Sequence, residues 1–136
     1  MSKGIGKEFM EKTKYQYLEE PDRDKGLPQP PLEVEYNPEG IFIELPSIED
    51  IEVKDISLKQ AIESRKTTRK YKDIPLTIEE LSYLLWCTQG VKRVILNAAT
   101  LRNVPSAGAR HAFETYLYIR KVDGIKPGLY RYLAIE

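Results

Sequence analysis

Eight consecutive residues concentrate the polar chemistry of this chain: Ser64-Arg65-Lys66-Thr67-Thr68-Arg69-Lys70-Tyr71, with four cations and three aliphatic hydroxyls. Arg supplies a planar fork of donors, Lys a mobile point charge, and Ser or Thr a rotatable hydroxyl. Together they suit a phosphate monoester, which accepts charge-assisted hydrogen bonds on every side. The plainer account of such a run is a solvated surface that attracts any polyanion. Arg65, Lys66, Thr67 and Arg69 are the candidate phosphate ligands. A second stretch, Arg102 to His111, centres on Pro105-Ser106-Ala107-Gly108-Ala109 and is almost free of bulk. Small residues let a backbone approach a flat ring without steric conflict. Pro and Gly fit a tight turn ahead of a helix equally well.

The elements that must position these residues are legible in part. Ser57-Leu58-Lys59-Gln60 has the form of a capping box, followed by a helix of about two turns in which Leu58, Ala61 and Ile62 share a face. That face is expected to anchor the segment and deliver the basic run at a fixed place. The cations follow this helix, so side chains and not a helix N-terminus would do the binding. Thr77-Ile78-Glu79-Glu80 is a second capping box, with Leu76 placed to staple onto Leu81. It predicts a helix over Thr77 to Gln89, with Leu81, Leu84, Leu85 and Thr88 as the buried stripe, core roles for Trp86 and Cys87, and Gly90 as the stop. Residues 91–104 lack caps and read as loop with a possible short helix. Thr115 to Val122 alternates as a strand, Asp123-Gly124 and Pro127-Gly128 mark a turn, and Leu129 to Ile135 forms a second strand, antiparallel to the first.

Taken together and in order, Ser64-Arg65-Lys66-Thr67-Thr68-Arg69, Leu76-Thr77 with Glu80-Leu81 and Leu84-Leu85-Trp86, Thr88-Gln89-Gly90, Pro105-Ser106-Ala107-Gly108-Ala109 and Pro127-Gly128-Leu129-Tyr130-Arg131-Tyr132 resemble the flavin-dependent nitroreductase family, and most closely its SagB-type dehydrogenase branch. The first motif departs mildly from the family pattern at Lys66 and Thr67, which keep the charge and the hydroxyl. The resemblance spans roughly Ser57 to Tyr132 and more loosely Gly6 to Tyr17. It implies an α+β fold, the N-terminal half of a nitroreductase-like domain, with helices packed on an antiparallel hairpin or sheet. Members continue for a comparable length beyond this hairpin, so the expectation is a half fold. The implied activity is hydride transfer through FMN, with NAD(P)H as a possible electron donor and a small molecule as substrate. Arg65, Lys66, Thr67 and Arg69 would hold the phosphate and ribityl end, and Pro105, Ser106, Ala107 and Gly108 would lie against the ring from a neighbouring subunit. The competing expectation is a non-catalytic structural or regulatory subunit that keeps the fold without flavin. One compact basic cluster matches one terminal phosphate, and no glycine fingerprint for a pyrophosphate stands between a strand and a helix.

Composition bounds these readings. The 136 residues hold 41% apolar side chains, enough for one modest core, and 21 basic against 21 acidic groups. A balanced charge argues against nucleic acid or an anionic membrane as main partner. One cysteine and one histidine make neither an internal disulfide nor a zinc ligand set, and the expected location is the cytoplasm. Residues 1–50, with six prolines and little periodicity, read as an arm before a partial domain at 51–136. The arm is expected to clasp a partner subunit, the alternative being a disordered leader; Ile41, Phe42 and Leu45 favour the clasp. Partners are expected to be a second copy of the chain or a complementary polypeptide carrying the C-terminal half. No nucleophile, triad or metal site is visible, although Tyr116 and His111 could serve as an acid and a proton relay; a lone His beside a turn is more often structural.

Overall fold

The computed structural model describes residues 4–96 and 98–135; Met1 to Lys3, Asn97 and Glu136 lie outside the described residues. Contacts divide the chain into two units, Met1–Pro30 and Pro31–Glu136. In the first, helix α1 (Ile5–Lys12) carries Glu8 and Lys12 one turn apart at 2.6 Å and buries no residue. So exposed an ion pair contributes only a few tenths of a kcal/mol.

The second unit is organised on helix α3 (Ile78–Gln89), which follows α2 (Leu58–Ser64). At the start of α3 the Glu80 amide donates to Thr77 Oγ1 at 3.2 Å, while the Thr77 amide donates to Glu80 Oε2 at 3.0 Å. The reciprocal bonds satisfy two amides that the first helical turn leaves orphaned. Leu81 and Leu85 pack with Ile119, Val122 and Ile125, and Leu45, Ile78, Leu117, Tyr130 and Tyr132 close around them. The buried stripe is rotated from the expected one. Ser82 is buried, because its hydroxyl donates to the Pro46 carbonyl at 2.8 Å, whereas Leu84 is 51% exposed. Trp86 and Cys87 are exposed as well, against the expectation of core roles; Trp86 instead lies against the Tyr83 ring at 5.8 Å. Apolar character alone could not choose which flank of α3 the rest of the chain would cover.

Residues 91–104 are a hairpin rather than a loop. Strands β1 (Val91–Ile95) and β2 (Ala99–Arg102) pair antiparallel, with a register break between Val91 and Arg93. An irregularity of this kind disrupts the period-2 alternation by which a strand is recognised. The second hairpin agrees with expectation: β3 (Thr115–Ile119) and β4 (Gly128–Tyr132) pair from Thr115 opposite Tyr132 to Ile119 opposite Gly128. Ile119 turns inward while Tyr116, Tyr118 and Leu129 face out. The second strand closes at Tyr132, three residues short of the expected end. Between the strands, Gly124 adopts a φ of 77° in a turn closed by the Ile125 amide on the Val122 carbonyl at 3.2 Å. A side chain with a Cβ is disfavoured at that dihedral. Leu76 joins Val122 through a parallel bridge, its amide donating to the Lys121 carbonyl and its carbonyl accepting from the Asp123 amide.

Segment 31–50 contributes to this unit. Glu114 Oε1 accepts from the Val34 amide at 2.9 Å, Arg131 donates to the Val34 and Glu35 carbonyls, and the Ala134 amide donates to Glu33 Oε1 at 2.8 Å. Further along, Ile41 is 97% exposed. The architecture is α+β, three helices with two small antiparallel sheets among the described residues.

Candidate functional site

The basic run leaves α2 at its C-terminal residue. Gln60 and Ser57 close the capping box, with the Gln60 amide on Ser57 Oγ at 3.2 Å and the Ser57 amide on Gln60 Oε1 at 3.1 Å. The helix ends at Ser64, and Arg65 already has an extended backbone, φ −60° and ψ 123°. Arg65, Lys66, Thr67 and Arg69 are all exposed, and their side chains make no hydrogen bond or ion pair among the described residues. Their donor capacity is therefore uncommitted to any carboxylate among the described residues. The expected anchor is not seen: Leu58 is 77% and Ile62 66% exposed, so the face that should fix the run is left largely uncovered by the described residues.

The small-residue stretch is a tight turn, as the plainer account expected, but a helix does not follow it. Ala107–Ala109 make one 3-10 turn, then the chain runs irregularly to β3. Gly108, Ala109 and His111 have φ of 67°, 55° and 44°. For the two residues with a Cβ this left-handed region is unfavourable. Pro105 to Gly108 are exposed, and a Cβ built on Gly108 would meet only the Arg110 side chain at 3.9 Å, so the glycine answers a dihedral and not a steric demand. No hydrogen bond or ion pair among the described residues joins this loop to the basic run.

Beside the loop stands a polar group of which the sequence had singled out His111 but not its neighbours. The His111 amide donates to Ser106 Oγ at 3.1 Å, closing the loop on itself. Burial holds the His111 imidazole below its ordinary pKa, the neighbouring Arg102 charge acts in the same direction, and a hydrogen bond to the Thr100 backbone opposes both. Arg102 donates from Nε to Thr100 Oγ1 at 3.1 Å and from Nη1 to Gln89 Oε1 at 3.2 Å. Thr100 is 1% exposed. Burial also raises the Tyr132 phenol, with Arg102 opposing and Glu33 reinforcing. Gln89 and Arg102 fell inside the quoted motifs, but nothing in their spacing said that they would meet, since their pairing depends on β2 folding back to the end of α3. Tyr116 lies on the exposed face of β3 and shares no bond with His111. A cleft of about 520 Å³ runs beside β3, lined by Lys72, Ile74, Leu76, Tyr116, Tyr118 and Lys121 among others, with Lys121 paired to Asp73.

No helix among the described residues is long and apolar enough to cross a membrane. The Nitroreductase family profile matches residues 62–135, more than half of the chain. A candidate nitroreductase of Methanocaldococcus jannaschii is 37% identical over 91 residues, which are 67% of this chain and 41% of that protein. The chain thus spans about two fifths of that relative's length.

Proposed function

The chain belongs to the nitroreductase family, and from that premise we propose that it is the FMN-binding N-terminal half of a flavin-dependent oxidoreductase, of the SagB-type dehydrogenase branch. The observation that carries this is the donor set at Arg65, Lys66, Thr67 and Arg69, three cations and a hydroxyl with no partner among the described residues. Such a set fits a phosphate dianion, which an already neutralised cluster would not. The cationic side chains would bind the phosphate, Thr67 the ribityl end, and the small turn Pro105-Ser106-Ala107-Gly108 would approach the ring with its backbone. Flavin, when bound, supplies hydride transfer from a donor such as NAD(P)H to a small-molecule acceptor, and the protein's part is to bind, orient and leave one face open. A catalytic side chain is therefore not required, and none is assigned. FMN is favoured over FAD because one compact cluster meets one terminal phosphate. The remaining cover would come from a second copy of the chain or from a complementary polypeptide with the C-terminal half, in the cytoplasm. Residues 1–50 would act as the clasp on that partner and 51–136 as the partial domain.

The test is titration of the purified full chain with FMN, followed by flavin fluorescence. Arg65→Ala with Arg69→Ala removes two charge-assisted contacts of about 1.5 to 3 kcal/mol each, so affinity should fall at least a hundredfold. Equal affinity in wild type and double variant removes the basic run from the site. Absence of binding in the wild type, alone and with a complementary chain, favours a non-catalytic subunit.

A further inference from the structure

We propose that Gln89, Arg102 and Thr100 are positioning residues which act through His111 to hold the Pro105–Ala109 loop in the shape that receives a planar ring. The inference rests on the reading of that loop as ring-facing. Two residues with a Cβ, Ala109 and His111, sit in the left-handed region within three positions, beside Gly108 in the same region. Strained backbone persists only where its surroundings over-determine it. The loop's own small side chains cannot do so, because Pro105 to Gly108 are exposed.

What does so is a relay of contacts that begins in a rigid helix. Gln89, the last residue of α3, accepts from Arg102 Nη1; Arg102 Nε donates to the hydroxyl of Thr100; the imidazole of His111 lies beside Thr100 and within the field of Arg102; and the His111 amide closes on Ser106. The 107–109 turn lies beside β2. Arg suits the middle of the relay because its fixed fork serves two acceptors at once, which a lysine ammonium cannot do in the same geometry. Placing a part-buried guanidinium and a fully buried hydroxyl behind a turn is costly if any turn conformation would serve. It is understandable if this one must meet a ligand already shaped, since ordering a loop at the moment of binding weakens affinity.

Two readouts on the full chain test this. The first needs no flavin: amide hydrogen exchange at His111 and residues 106–109. Arg102→Ala should accelerate it at least tenfold while the amides of residues 81–85 in α3 keep their protection. Thr100→Val keeps the side-chain volume and loses the hydroxyl, so it should accelerate exchange in the same places, whereas Thr100→Ser should behave as wild type. A role confined to packing predicts the reverse order for the two Thr100 variants. The second readout is FMN titration with the visible absorption band recorded. Arg102→Ala and Thr100→Val should each weaken binding about tenfold and shift the band, with Thr100→Ser again unchanged. Unaltered exchange in Arg102→Ala and Thr100→Val overturns the relay. Faster exchange with unaltered FMN affinity and spectrum overturns its link to the ring alone. Wild-type protein that takes up no FMN overturns the flavin assignment and, with it, the ring-facing role of the loop.

Discussion

Gly90 is required by its neighbours and not by its dihedrals. Its φ of −53° suits any residue, but a Cβ there would lie 2.5 Å from the Trp86 carbonyl oxygen, 2.6 Å from Trp86 Cδ1 and 2.8 Å from Asn103 Nδ2. These atoms are tied down, since Asn103 Nδ2 donates to the Trp86 carbonyl at 2.6 Å and the Asn103 amide to the Gly90 carbonyl at 3.0 Å. Gly90→Ala should therefore destabilise the chain by about 1 to 3 kcal/mol, seen as a lower urea midpoint at unchanged slope. His111 makes a second residue-scale prediction. Its folded pKa lies below the ordinary 6.5, chiefly from burial and then from Arg102, so the folded chain favours the neutral ring. The stability this contributes is complete above pH 6.5 and is lost as pH falls through the folded value. Urea unfolding between pH 5 and 8 should show that decline in wild type and a smaller one in His111→Gln. An equal decline in both would place the titrating group elsewhere. The sequence located His111 beside a turn, but only the fold set Arg102 against it.

At the scale of elements, the tie between segment 33–35 and the β3–β4 hairpin is the contact most open to test. Arg131 and Glu114 are mostly buried, with side chains 16% and 23% exposed and Nε standing 3.8 Å from Glu114 Oε2. Both also bond the same strip of backbone, Glu114 at the Val34 amide and Arg131 through its terminal nitrogens at the carbonyls of Val34 and Glu35, while Arg131 Nε is buried without a hydrogen-bond partner among the described residues. Removing one partner leaves the other charge uncompensated. Arg131→Ala should cost about 1.5 to 3 kcal/mol and expose residues 31–40 to limited proteolysis, with α3 still protected. Uniform protection in the variant would mean that the segment is held by other contacts. Elements differed in legibility for a physical reason. Both capping boxes and the β3–β4 hairpin were readable, because their signals lie within a few neighbouring residues. The β1–β2 hairpin was not, because its register break removes the alternation.

For the whole molecule, the outstanding feature is apolar surface without cover. Leu58, Ile62, Tyr118 and Leu129 are each more than 60% exposed, and among the described residues the edge of β3 away from β4 has a single bridge, between Leu76 and Val122, beyond its end. Open strand edges and contiguous apolar surface recruit partners or promote aggregation. The proposed association with a second copy or a complementary chain therefore predicts a mass above that of one 15.7 kDa chain by light scattering at micromolar concentration. A well-folded monomer with stoichiometric FMN would overturn that proposal. Replacing Leu58 and Ile62 together with Ser should reduce the associated fraction without loss of helix content if the α2 face is part of the contact.

What the sequence determined by itself was local: where α2 and α3 begin, where the β3–β4 turn falls, and which donors and small residues are grouped along the chain. Each depends on spacings of two to four residues, the range over which caps, turns and alternation act. The tertiary structure decided which flank of α3 is buried, that Ser82 and not Leu84 faces inward, and that Gln89, Arg102, Thr100 and His111 converge behind one loop. Those outcomes depend on residues distant in sequence competing for the same surface, and a long-range contact leaves no period for a local pattern to carry.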